Sequence, residues 1–254
     1  MDHVSGIPSA LFVHAHPDDE SLWTGGTIAA HIARGGDADL ITCTWAPGTV
    51  RNVELGDAAR ELGLSRPPIA LGYADSFVPE SAPDAPSFID VQFDDEVAAL
   101  VGHIRRIRPD IIVTYDAFGI YGHRDHIHTN RLVCAAADAA PLLHYAPGSG
   151  DPWQVKSLYF ATIPVSVVDE LRPFLPEASH LPLVGTPDDQ VDLTLDLHEQ
   201  LGAKIRAITS HRTEMARSAS MKGFGSLPRD QQRLFLARES YQRRDLVPGG
   251  ADLG

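Results

Sequence analysis

Four short apolar runs, each followed by a stretch of helical period, constrain this chain more than any other feature. Ala10 to Ala15, Asp39 to Trp45, Ile69 to Tyr73 and Ile111 to Tyr115 read as buried strands. Between them, Leu22 to Arg34 reads as a helix that stops at Gly35-Gly36, and Val53 to Leu62 as one ended by Gly63. Leu100, Val101, Ile104 and Ile107 then recur at helical spacing until Pro109 forces an exit. A helix from about Ile127 to Ala139 and a fifth strand from Lys156 to Ile163 continue the alternation, and Leu201, Ile205 and Ile208 mark one face of a C-terminal helix. Strands alternating with helices predict an α/β fold with a mostly parallel, doubly wound, Rossmann-like sheet in the order 3-2-1-4-5. One domain over residues 1–247 and a flexible tail at 248–254 are expected.

The balance of 21 basic against 34 acidic side chains gives a formal net charge of -13, which repels a phosphate backbone and argues against nucleic acid as a partner. No apolar run approaches the roughly 20 residues that span a bilayer, and Met1 to Gly6 lacks the basic-then-apolar order of a signal peptide, so no membrane insertion and a cytoplasmic location are expected. Cys43 and Cys134 are too few for a disulfide scaffold and lack metal-ligand spacing. The oligomeric state, a homo-oligomer included, is left open.

Two clusters of chemistry-bearing residues follow two of the strands. His16, Asp18 and Asp19 come directly after the first; His123, Asp125, His126 and His128 come directly after the fourth. In the order 3-2-1-4-5 those strands are neighbours where the order reverses, so both loops open on one crevice. Imidazole nitrogen and carboxylate oxygen suit zinc, and a catalytic zinc takes three protein ligands, here His16, Asp19 and His126. The same donors also accept another divalent ion such as Fe2+. Asp18 is placed as general base and then acid. A protonated His123, oriented and kept charged by Asp125, would stabilise the oxyanion of a tetrahedral intermediate.

Each residue also has a plainer reading. Asp18, Asp19 and Glu20 suit the first turn of a helix, and the histidine cluster suits a solvated turn. Arg51 follows the second strand and Asp75 the third, so both can reach the crevice and bond sugar hydroxyls, although Arg51 also reads as a surface residue at a helix start. The Pro-rich stretch Asp75 to Asp90 borders the same crevice or is a solvated connector. His14 reads as a buried, satisfied histidine, Glu20 as support. His3, His31, His103, His144, His180, His198 and His211 read as structural or exposed.

The segments Ala15-His16-Pro17-Asp18-Asp19-Glu20 and His123-Arg124-Asp125-His126 resemble the two signatures of zinc-dependent de-N-acetylases, the family of N-acetylglucosaminyl-phosphatidylinositol, mycothiol and antibiotic-sugar deacetylases. The resemblance runs from Pro8 to about Met215. It implies zinc on His16, Asp19 and His126, proton transfer by Asp18, carbonyl polarisation by His123 with a mobile Tyr121, and sugar contacts from Arg51 and Asp75. Arg124 stands where the mycothiol enzymes carry proline, and the stretch between the second and third strands is shorter than theirs.

The expectation is therefore a metal-dependent amide hydrolase removing an acetyl or other acyl group from an N-acetylglucosamine-type amino sugar, a small-molecule substrate. A mycothiol-conjugate-type amidase and a deacylase of an acylated sugar antibiotic are the alternatives. A non-catalytic sugar- or metal-binding module is a third, and a nucleotide-binding enzyme a fourth that lacks a G-x-G-x-x-G turn after the first strand.

Overall fold

The computed structural model describes residues 6–171, 183–218 and 228–254; His3 and His180 lie outside them. Five strands, β1 (Ala10–His14), β2 (Ala38–Thr44), β3 (Ile69–Tyr73), β4 (Ile111–Tyr115) and β5 (Ser157–Thr162), pair in parallel in the expected order 3-2-1-4-5. Every residue of β1 is buried, and its side chains alternate between two cores. Ala10 and Phe12 join Ile28 of a helix we label α2 (Gly25–Ala33), Leu55 and Ala58 of α3 (Val50–Glu61) and Ala207 of the later α8 (Leu201–Ser210). Leu11 and Val13 join Leu100 and Ile104 of α4 (Phe93–Ile107) and Val133 of α6 (Arg124–Ala139) on the opposite face. Burying each such side chain stabilises the fold by about 1.5–3 kcal/mol.

The sheet is wider than the apolar runs indicate. Beyond β5, β7 (Arg238–Asp245) pairs antiparallel, and β6 (Leu193–Asp196) pairs antiparallel to β7, completing the order β3-β2-β1-β4-β5-β7-β6. Among the described residues, the remaining α-helices are α1 (Asp19–Trp23), the single turn α5 (Gly119–Gly122), α7 (Val165–Leu171), α9 (Arg212–Arg217) and α10 (Arg229–Leu236). Among the described residues, no helix is long and apolar enough to cross a membrane.

Two expectations are corrected. The helix expected over Leu22 to Arg34 is two helices separated at Thr24 (φ -138°, ψ 7°). A helix can restart at Gly25 because the Glu239 carboxylate, from β7, accepts the free Gly26 and Thr27 backbone N–H groups at 2.8 and 2.9 Å. The tail at 248–254 is packed rather than frayed. Ala251 N–H donates to Ser157 Oγ (2.7 Å), Tyr159 Oη donates to Ala251 O (3.0 Å), and the fully buried Leu253 side chain joins the α2–α3 core.

Candidate active site

Both motif loops leave the carboxyl ends of adjacent strands. After β1 the backbone turns sharply, with Asp18 in the left-handed region (φ 125°), and α1 then begins at Asp19. After β4, Gly119 (φ 66°) carries the chain back toward the sheet; a Cβ there would stand 2.6 Å from His126 Cβ and 2.9 Å from Ile127 N, so only glycine fits. His123 Nδ1 accepts the Asp125 backbone N–H at 3.2 Å and caps α6, on whose first turn His126 lies.

The result is a compact set of donors drawn from residues 110 apart. His16 Nδ1, Asp19 Oδ2 and His126 Nε2 form a triangle with edges of 3.2, 3.2 and 3.3 Å. Three ligands of a tetrahedral ion with bonds of 2.0–2.1 Å stand about 3.3–3.4 Å apart, so the spacing fits a zinc-sized ion. Each histidine is held by its outer nitrogen. His16 Nε2 bonds Asp125 Oδ2 at 3.1 Å, with Asp75 Oδ2 at 3.6 Å, and His126 Nδ1 donates to Gly119 O at 3.2 Å. A carboxylate and a carbonyl can only accept, so both inner nitrogens are left to face Asp19. Asp19 is itself fixed by Tyr115 Oη (2.6 Å) and Trp23 Nε1 (3.1 Å), and the Tyr115 ring stacks on His126. His123 also brings a ring nitrogen within 4.8 Å of those of His16 and His126.

The electrostatics follow from this crowding. Burial disfavours the charged form of His16, yet hydrogen bonds to Asp125 and Asp19 outweigh it and hold its pKa well above the usual value. Burial likewise opposes ionisation of Asp19, but the neighbouring His126 and His16 hold its carboxyl well below the usual range. The His16 proton thus offsets the same excess of carboxylate charge that a divalent cation would offset, and ligation of a cation releases such a proton. Burial pushes Asp18 up to about 7, against the pull of Arg51.

Several expected roles change. Asp125 does not orient His123 through its side chain; its carboxylate, lowered to about 2 by the His16 hydrogen bond despite burial, holds His16 and accepts Ser76 N–H at 3.0 Å. His123 is not kept charged, because burial, reinforced by His16 and His126, lowers it to about 4. Arg51 does not stand free at a helix start. It is only 3% exposed, its Nη atoms bond Pro17 O, Asp18 Oδ2 (3.1 Å) and Glu214 Oε2 (3.3 Å), and its guanidinium lies over Trp45. Tyr121 stands beside His126 with ring centroids 5.1 Å apart, and Phe77, from the Pro-rich stretch, packs edge-on against His123 at 5.0 Å. His14 is buried and bonds Thr24 Oγ1, and His128 bonds Glu96, both away from the donor triangle.

Sequence reasoning missed Tyr115, Trp23, His211 and Glu214. Tyr115 had a signal, since it ends β4 at the carboxyl rim; His211 bonds Glu20 at 2.7 Å across 191 positions and had none.

The chain is similar to known proteins. A 1D-myo-inositol 2-acetamido-2-deoxy-alpha-D-glucopyranoside deacetylase of Rhodococcus jostii is 36% identical over 95% of this chain and 92% of its own. One from Mycolicibacterium gilvum is 35% identical over 97% and 96%. Among solved structures, the N,N'-diacetylchitobiose deacetylase of Pyrococcus horikoshii superposes with a TM-score of 0.64 at 16% identity, covering 94% of this chain and 85% of that one. The 4-carboxy-2-hydroxymuconate hydratase GalB of Pseudomonas putida superposes at 0.57 with 18% identity, covering 97% and 99%, so the fold alone does not set the reaction. The model of the GlcNAc-PI de-N-acetylase (PIG-L) family matches residues 11–137, the span that holds both motif loops, and with these relatives it shows that the chain belongs to that family.

Proposed function

We propose that the protein is a zinc-dependent amide hydrolase that removes the N-acetyl group from an N-acetylglucosamine-type amino sugar or its conjugate. The donor triangle of His16, Asp19 and His126, with both outer nitrogens held, carries this reading. These three residues would hold the ion, which when bound lowers the pKa of water and polarises a carbonyl. Asp18 takes the proton of the attacking water and returns it to the departing amine. His123 is neutral and its Nδ1 accepts a backbone N–H, so Nε2 carries the hydrogen and donates to the developing oxyanion. Tyr121, kept protonated because burial raises its phenol well above the usual value, is a second donor on that side. Asp75, at the carboxyl end of β3, accepts from a sugar hydroxyl.

A cavity of about 270 Å³ lies beyond Trp23, walled by Ile120, Ile163 and Phe235 with Thr162 and Ser240, and its lining includes neither the donor triangle nor Asp18 or His123. The second reading is removal of a larger acyl group. Incubating the purified protein with N-acetyl amino sugars, including 1D-myo-inositol 2-acetamido-2-deoxy-alpha-D-glucopyranoside and N,N'-diacetylchitobiose, separates the two. The expected result is equal release of amine and acetate, abolished by a chelator and restored by Zn2+, with Fe2+ as the comparison. Release of a larger acid supports the second reading, and no release by protein carrying one ion per chain overturns both.

A further inference from the structure

Asp18 is held in a backbone conformation that a non-glycine residue adopts at a cost of about 1–3 kcal/mol, and such a conformation persists only where the surroundings over-determine it. Two contacts do so. The Asp18 backbone N–H donates to Glu20 Oε2 at 2.9 Å, and the Asp18 carboxylate pairs with Arg51 at 3.1 Å. Neither partner stands alone. Glu20, fully buried, is held by His211, also fully buried, whose Nε2 donates to Glu20 Oε1 at 2.7 Å; Arg51 is held by Glu214 at 3.3 Å. The backbone between these two is pinned as well, since Thr213 N–H donates to Glu54 Oε1 at 3.0 Å, one turn along α3 from Arg51.

From this geometry we infer that His211 and Glu214, on one short segment nearly 200 residues downstream, are positioning residues that fix Asp18 from its two ends, His211 through Glu20 and Glu214 through Arg51. The inference rests on the hydrolase reading above, in which Asp18 moves the proton. It also gives Arg51 a purpose other than contact with sugar. A carboxylate free to swing by an ångström loses its alignment with water and amine, a misplacement that costs about a hundredfold in rate.

The test compares wild type with His211→Leu, His211→Gln and Glu214→Ala, measuring kcat, KM, Tm and bound metal per chain. A glutamine side-chain amide can present an N–H where Nε2 of the imidazole stood, so His211→Gln should restore most of the turnover that His211→Leu loses, about a hundredfold in kcat. Glu214→Ala should lower kcat about tenfold, with KM and bound metal unchanged, and it serves alone where His211→Leu does not fold. A purely structural role would move Tm and leave kcat of the folded protein intact. Loss confined to KM, equal turnover in Glu214→Ala and wild type, or His211→Gln no better than His211→Leu overturns the positioning role while the wild type remains a hydrolase. A wild type that releases no acid overturns the hydrolase reading, and the positioning role with it.

Discussion

The two halves of the sheet bury charge in opposite ways. In the parallel half, β1 and β4 are buried from end to end, and the polar load is pushed to the rim, where the chain turns left-handed at Asp18, Trp45 and Ile120 after three successive-neighbour strands. There the carboxylates of Asp19, Asp75 and Asp125 crowd one histidine. At the antiparallel edge, Lys204 (1% exposed) and Glu239 (5%) are equally buried but matched: Glu239 accepts from Lys204 Nζ at 2.7 Å, from Thr27 Oγ1, from Tyr241 Oη and from the first N–H groups of α2. Buried charge whose partners are all supplied by the chain serves the fold; buried donors that face one another across a triangle are the arrangement our proposal assigns to a metal ion.

The comparison is broken or sharpened by mutation. Asp18→Asn, which keeps the side-chain shape and tolerates the left-handed backbone, should lower kcat by about 10²–10⁴-fold with Tm and bound metal unchanged, in steady-state kinetics beside a thermal melt. A collapse of Tm instead would make the rim structural too. Glu239→Ala strands a buried ammonium and should cost about 3–5 kcal/mol, lowering Tm by roughly 10 °C or more, with kcat of the folded protein retained. Turnover lost at constant Tm would move this pair into the working site. Leu253→Ala is the mildest, at about 2–3 kcal/mol in denaturant unfolding; an unchanged midpoint would restore the frayed tail that the composition alone implies.

What was legible in the sequence follows the same division. β1 to β5 are apolar runs, buried throughout in β1 and β4 and half-buried at the edge strand β3, so they and their order could be read, and so could the two loops that share the crevice. β6 and β7 could not. Arg238–Asp245 is largely polar, because only part of it is covered, and the break at Thr24 depends on a carboxylate that arrives from that strand. Within the site, residue types indicated donors for a metal, but contact partners were beyond reach. Asp125 lies two residues from His123 and bonds His16 instead, since the first turn of α6 points its side chain toward β1 and leaves only its N–H for His123. Arg51 reads equally as a sugar contact and as a surface residue because Glu214, which pairs with it, is far away in sequence.

The indole of Trp23 has a consequence in optics. It donates to the Asp19 oxygen turned away from the donor triangle, and Trp45 lies 4.5 Å beneath the Arg51 guanidinium that pairs with Asp18, so two of the chain's three tryptophans stand beside the acidic rim. The protein therefore carries its own fluorophores at the place where a ligand would be felt. In a fluorescence titration with Zn2+, emission from Trp23 is expected to follow the charge on Asp19, and emission from Trp45 the placement of Arg51, without any label attached.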